Sequence, residues 1–241
     1  MAVINVDVKS LEVYTVCDLS DDKALREELL TPDYDMHTNN QKAFGLPDRV
    51  TAKRFIFKLI YGATAYGYAN DTDFIDVSRD EKFWQNVIDK FYEKYQGIRL
   101  WHERLISIAQ KQQYLEIPSG RWFPMEPQII NGRVKWPITK IKNYPVQGFG
   151  ADLVKLARLE AARRVKEETK NGLLIGTIHD SLVADAPEDE AEKVCRILME
   201  SVAKIPELCY NIYGYKFSLP MLSEGFIGPN KKDMESYKYA N

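Results

Sequence analysis

Residues 49–62 read Arg-Val-Thr-Ala-Lys-Arg-Phe-Ile-Phe-Lys-Leu-Ile-Tyr-Gly, and the spacing of their cations and rings decides how the chain is read. Arg49, Lys53, Phe57 and Tyr61 stand four apart. On a helix each such step advances about 40°, so the four form one slowly winding ridge roughly 18 Å long. Ala52, Phe55, Ile56 and Leu59 occupy a separate sector and read as a core stripe. Thr51, Arg54 and Lys58 take a third sector, which reads as solvated. The ridge fits neither description. Read one way it is ordinary, with cations in water and rings in the core. Read the other way, a forked Arg and a point-charge Lys hold a triphosphate at one end, while the rings stack on a base and sugar. The stretch alone leaves both readings open.

Upstream, Gly45-Leu46-Pro47-Asp48 reads as a break and restart, with Pro near the first turn and Asp at the positive helix end. A polar turn, Thr31-Pro32-Asp33-Tyr34-Asp35, precedes a short helical pattern through Phe44. At the start, Ile4, Val6 and Val8 alternate with Asn5 and Asp7, a strand ending on a carboxylate. Downstream, a helical pattern runs from about Glu81 to Gln113 with an interruption at Gln96-Gly97. Residues 115–140 hold Pro118, Gly120, Pro124, Pro127, Gly132 and Pro137 and read as loops and short strands. A helix is expected over roughly 149–170, stopping near Asn171-Gly172. Two apolar runs, Leu173–Ile178 and Leu182–Ala184, flank His179-Asp180-Ser181 and read as a hairpin with an acid at its tip. The last helix, about 187–204, opens on the acidic turn Pro187-Glu188-Asp189-Glu190. The fold class is α+β.

Composition sets the bounds. The chain has 241 residues, 45% hydrophobic and 28% charged, which suits a globular protein and excludes disorder as its main state. Three cysteines without a CxxC pair exclude a disulfide scaffold and a zinc ribbon and suit a reducing cytoplasm. No apolar run reaches 18 residues, so no membrane partner is expected. A net charge of −2 denies the chain a global basic field. Positive charge is local instead: Arg121, Arg133, Lys135, Lys140 and Lys142 against Glu126 give residues 121–143 a net of four positive charges.

Asp7 alone reads as a strand-end cap and Asp180 alone as a turn former. Together, at the ends of neighbouring antiparallel strands, they form a pair able to share two Mg²⁺ ions for an in-line phosphoryl displacement.

With these residues in view, the chain resembles the palm and fingers of a family A DNA polymerase, the group of bacterial DNA polymerase I and many phage replicases. Asp7-Val8-Lys9-Ser10-Leu11-Glu12-Val13-Tyr14 is similar to that family's first motif, Asp-Tyr-Ser-Gln-Ile-Glu-Leu-Arg. Arg49, Lys53, Tyr61 and Gly62 match Arg-x3-Lys-x7-Tyr-Gly, with the family's Phe at Phe57. His179-Asp180-Ser181 resembles its His-Asp-Glu. Asp35-Met36-His37, Gly120-Arg121 and Asn143-Tyr144-Pro145-Val146-Gln147-Gly148 resemble lesser motifs.

The resemblance implies a right-hand palm, an antiparallel sheet with helices, plus helical fingers. Residues 1–30 would be the first part of the palm, 31–115 mainly fingers, and 116–241 the second part of the palm with the hairpin at 173–185. It implies that Asp7, Asp180 and the Val8 carbonyl ligate two Mg²⁺. Arg49 and His37 would meet the outer phosphates of a deoxynucleoside triphosphate, and Lys53 the reacting end. Phe57 would lie against the sugar and base, and Tyr61 and Glu12 beside the 2′ carbon. Arg121, Asn143, Gln147 and His179 would touch primer–template DNA.

Ser181 departs from the family by standing where an acid is usual, Tyr14 stands for Arg, and Ser10 for Gln. The resemblance implies a thumb and usually an exonuclease domain ahead of the first motif, so either a separate polypeptide is expected to carry them or the chain is a fragment. Ser181 and the compact loops suggest a phage-like replicase, cytoplasmic, or in the host cytoplasm for a phage-encoded protein. A single-subunit RNA polymerase of the phage type shares the Arg-x3-Lys-x7-Tyr-Gly spacing and uses His-Asp-Ser, but is expected to carry a small residue at the place of Glu12. The other alternative is a non-catalytic nucleic-acid-binding remnant, against which Asp7, Arg49, Lys53 and Asp180 all stand.

Overall fold

The computed structural model describes residues 1–238. β1 (Ala2–Val8) leads into α1 (Leu11–Ser20) and α2 (Lys23–Leu30). Then come α3 (Met36–Phe44), α4 (Arg49–Ile60), the short α5 (Ala65–Ala69), α6 (Glu81–Lys94) and α7 (Gln96–Gln112). Two small hairpins follow, β2 (Tyr114–Glu116) with β3 (Trp122–Pro124), and β4 (Gln128–Ile130) with β5 (Arg133–Lys135). The chain continues through α8 (Ile138–Glu168), β6 (Leu173–Ile178), β7 (Ser181–Ala186) and α9 (Glu188–Ala203). It closes with α10 (Ile205–Tyr213), β8 (Ser223–Gly228) and β9 (Glu235–Tyr237).

Two compact units emerge. The first holds Met1–Thr15, Pro118–Gly120 and the chain from Gly148 onward; the second holds Val16–Ile117 and Arg121–Gln147. The divisions fall at 15/16, 117/118, 120/121 and 147/148.

The first unit is built on a five-stranded antiparallel sheet of order β6-β7-β1-β8-β9. Alternation along β1 buries Ile4, Val6 and Val8 completely or nearly so, while Asn5 and Asp7 share the opposite face. α9 packs on the sheet with Val194, Cys195, Leu198 and Val202 in the core. Its approach is close: a Cβ at Gly225 on β8 would lie 2.6 Å from the Cys195 sulfur. A larger residue there must displace the Cys195 and Met199 side chains.

The second unit has an aromatic core. Phe55 from α4 meets Tyr68 from α5 at 5.0 Å between ring centroids, and Tyr68 meets Trp84 from α6 at 5.1 Å. Phe74 and Phe91 complete the cluster, and the Tyr68 hydroxyl donates to the Phe55 carbonyl at 2.7 Å. These contacts fix the face that α4 buries: Thr51, Ala52, Phe55, Ile56, Leu59 and Ile60. Buried Asp22 joins distant segments. Its Oδ1 accepts from Leu25 N at 2.9 Å to cap α2, and its Oδ2 accepts from Ile98 N at 3.1 Å.

Several expectations need correction. Thr51 is buried rather than solvated, because its hydroxyl folds back onto the Asp48 carboxylate at 2.8 Å. Asp48 itself is the N-cap of α4, so Pro47 precedes the helix instead of opening it. The break between α6 and α7 falls at Tyr95, and Gln96-Gly97 already belong to α7. α8 begins at Ile138, about eleven residues early, and runs through Pro145 to Glu168. Burial of Ile141, Val146 and Phe149 around that proline outweighs its missing N–H. α1 and α2 fill a segment to which the sequence pattern assigned no element. Leu11, Val13, Tyr14, Val16 and Cys17 of α1 are buried on nearly every side, which erases the helical period. α10, β8 and β9 were likewise not expected from the pattern; glycines at 225 and 228 interrupt the β8 alternation.

Candidate active site

In the first unit, the ladder sets Asp7 of β1 opposite Ser181 of β7 on one side and Glu224 of β8 on the other. The β6–β7 connection is only His179-Asp180, with Ile178 paired to Ser181. His179 supplies the left-handed corner at φ 55°, a region His visits more readily than bulky residues. The Val8 N–H donates to the Asp180 carbonyl at 3.2 Å, so the tip of the hairpin closes against the end of β1. Asp7 and Asp180 are half-buried, Val8 is buried and His179 is exposed. Asp7 Oδ1 accepts from Asn5 Nδ2 at 2.9 Å and also from the Ser181 hydroxyl. Glu12 lies half-buried in the first turn of α1. Glu224 pairs with Lys9 Nζ at 2.8 Å.

In the second unit, α3 and α4 bring four candidates together. Asp35 caps α3, its Oδ1 accepting from His37 N at 3.0 Å and Thr38 N at 3.2 Å. Its Oδ2 accepts from Arg49 Nε at 2.6 Å. The Arg49 hydrogen bond, with help from Thr38, holds the Asp35 carboxyl well below the usual carboxylate range. The His37 and Phe57 rings lie 6.1 Å apart, and Lys53 Nζ stands 6.0 Å from the Phe57 ring centre. Burial depresses the His37 pKa, and the Arg49 and Lys53 cations depress it further. The imidazole is therefore neutral near pH 7, and its buried Nδ1 has no hydrogen-bond partner among the described residues. Lys53 is exposed, Phe57 is half-buried, and Tyr61 is the half-buried C-cap of α4. The ridge is thus a row lying between the buried face and open solvent.

The remaining candidates are more scattered. Arg121 is exposed between β2 and β3, where its carbonyl accepts from Ile117 N at 2.9 Å. Asn143 and Gln147 stand four apart on α8 and share a face. Asn143 Oδ1 is buried without a hydrogen-bond partner among the described residues, while Gln147 is exposed.

Among the described residues, no three His, Cys, Asp or Glu side chains gather into a metal-holding group. The donor set is instead two carboxylates and a backbone carbonyl at adjoining strand ends. Those are hard oxygen donors, and Mg²⁺ is commonly held by one or two carboxylates plus substrate phosphates. The residues fit that ion.

Three contributors escaped the sequence reading. Asn5 stands two residues before Asp7 on a strand, so the period of two already placed it on the same face. Asp35 stood in a turn and in a motif resemblance, but its grip on Arg49 spans 14 residues of sequence. Glu224 reaches Asp7 only through strand register, which no local pattern shows.

Residues 1–233 match the sequence model of the family described as DNA polymerase family A. The chain is 29% identical over 188 residues to DNA polymerase I of Chloroflexus aurantiacus, covering 77% of this chain and 18% of that protein. It is 29% identical over 238 residues to DNA polymerase I of Pseudomonas aeruginosa, covering 93% of this chain and 24% of that one. The chain therefore spans only about a fifth to a quarter of the curated relatives it matches. Among solved structures, it superposes on the POL domain of Pol1 from M. smegmatis, in complex with DNA primer-template and dNTP. The TM-score is 0.73 at 19% identity, over 95% of this chain and 39% of that one. That likeness establishes the fold.

Proposed function

This chain belongs to DNA polymerase family A, and from that premise we propose that it carries the nucleotidyl-transfer centre of a template-directed DNA polymerase. Residues 1–30 and 116–241 are read as palm and 31–115 as mainly fingers. The observation that carries the proposal is the register setting Asp7 opposite Ser181, one residue from Asp180 at a two-residue hairpin tip.

In this reading Asp7, Asp180 and the Val8 carbonyl hold two Mg²⁺. When bound, such a pair activates the primer 3′ hydroxyl and neutralises charge on the departing pyrophosphate. The chain's own side chains seat the deoxynucleoside triphosphate. Arg49, with Nε taken by Asp35, offers its terminal fork to an outer phosphate. Neutral His37 supports the same end with its ring nitrogen. Lys53 stands for the reacting end, where it hands a proton to the leaving group. Phe57 packs against the sugar and base, and Glu12 and Tyr61 close the space beside the 2′ carbon. Arg121, Asn143, Gln147 and His179 contact primer–template DNA through backbone and shape, since base pairing carries the sequence. A separate thumb-bearing polypeptide is proposed to complete the grip on DNA.

The test is single-nucleotide extension of a primed template, scored with deoxy- and ribonucleotides in parallel. Deoxynucleotide addition is expected, weak for the chain alone and raised by a thumb-bearing polypeptide. A ribonucleotide preference would contradict the DNA reading, and robust processive extension by the chain alone would contradict the partner.

A further inference from the structure

Two side chains that touch no reacting atom converge on one oxygen of Asp7. Asn5 Nδ2 donates to Asp7 Oδ1 at 2.9 Å along the same face of β1, and the Ser181 hydroxyl donates to the same Oδ1 from the paired strand β7. Among the described residues no hydrogen bond falls on Oδ2. The Asn5 amide turns its nitrogen, its donor end, to the carboxylate.

Asn5 is only 6% exposed, and its own Oδ1 is buried without a hydrogen-bond partner among the described residues. A buried acceptor left unpaired is costly, and an apolar residue at this central-strand position would avoid that cost. The side chain is therefore tolerated for what its amide donates. Ser181 is buried as well, directly opposite Asp7 in the ladder. Two donors from fixed backbone positions restrain the carboxylate through Oδ1 and leave Oδ2 outside the clamp.

We propose that Asn5 and Ser181 are positioning residues that clamp Asp7 Oδ1 and so aim Oδ2 at a divalent cation. This rests on the reading of Asp7 as a metal ligand given above. Outer partners of this kind orient a ligand and typically change metal affinity about tenfold or more when removed.

The experiment is Mn²⁺ uptake by the full chain with primer–template and deoxynucleoside triphosphate, followed by loss of the free-ion paramagnetic signal against a protein-free control. Ser181→Ala should weaken uptake about tenfold, with an unchanged far-ultraviolet circular dichroism spectrum. Ser181→Thr, which keeps the hydroxyl, should restore it. Asn5→Ser, which shortens the donor, should weaken it independently. Wild-type uptake in Ser181→Ala alongside lost uptake in Asp7→Asn would overturn the clamp while leaving the metal reading standing. Uptake in Asp7→Asn equal to wild type would overturn both.

Discussion

Arg49 Nε donates to Asp35 Oδ2 at 2.6 Å, while the other oxygen of the same carboxylate caps α3 through the N–H groups of His37 and Thr38. One acid thus starts the helix that carries His37 and holds the cation that opens α4. The start of α3 and the first cation of the α4 ridge are coupled through the carboxylate of a single side chain.

The two jobs of Asp35 separate by substitution. Asn caps helices about as well as Asp but carries no charge for Arg49. Asp35→Asn should leave the urea midpoint nearly unchanged and raise the apparent KM for deoxynucleotide. Asp35→Ala should raise KM similarly and also cost about 1 kcal/mol of stability. Equal stability loss in both variants would mean the Arg49 pairing, not the cap, supports the fold.

Acid should destabilise the second unit through a buried histidine. His102 is pushed down to about 3, first by burial and then by the Lys142 cation. The Tyr92 hydroxyl bridges the two, 3.0 Å from His102 Nδ1 and 3.2 Å from Lys142 Nζ. An unfolded imidazole takes its proton near pH 6.5. Between those values the unfolded state binds more protons, so stability falls as pH drops below about 6.5. His37, also depressed by burial, adds the same sign. Chemical denaturation at pH 7.5 and 5 should show a slope that His102→Gln flattens. An equal slope in wild type and variant would refute the assignment.

Gly97 is a packing constraint at the start of α7. A Cβ there would lie 2.6 Å from Asp22 Cα and 2.9 Å from its Cβ. That backbone cannot yield without loosening the carboxylate bonds to Leu25 and Ile98. Gly97→Ala should therefore cost about 1–3 kcal/mol, the usual price of overpacking. A thermal midpoint within one degree of wild type would show that the contact relaxes freely.

Sequence legibility followed the length scale of each signal. The amphipathic period of 49–62 and the Asp48 cap located α4, and alternation located β1 and the β6–β7 hairpin. α1 was illegible because it is buried on both flanks, and the start of α8 because packing around Pro145 overrides a local breaker. Within the candidate site, Asp7, Arg49, Lys53 and Asp180 were legible as types at spacings. Their supports were not: Ser181 holds Asp7 across 174 residues, and Asp35 holds Arg49 across a turn and a helix. Register and tertiary hydrogen bonds carry that information, and single-strand periodicity cannot.

The most direct measurement is the rate of single-nucleotide primer extension by Asp180→Asn beside wild type, with primer–template affinity followed by fluorescence anisotropy. Removing one carboxylate from a shared cation site forfeits several kcal/mol of transition-state stabilisation, so the rate should fall by about 10³-fold while affinity changes little. Extension at the wild-type rate by Asp180→Asn would contradict the account.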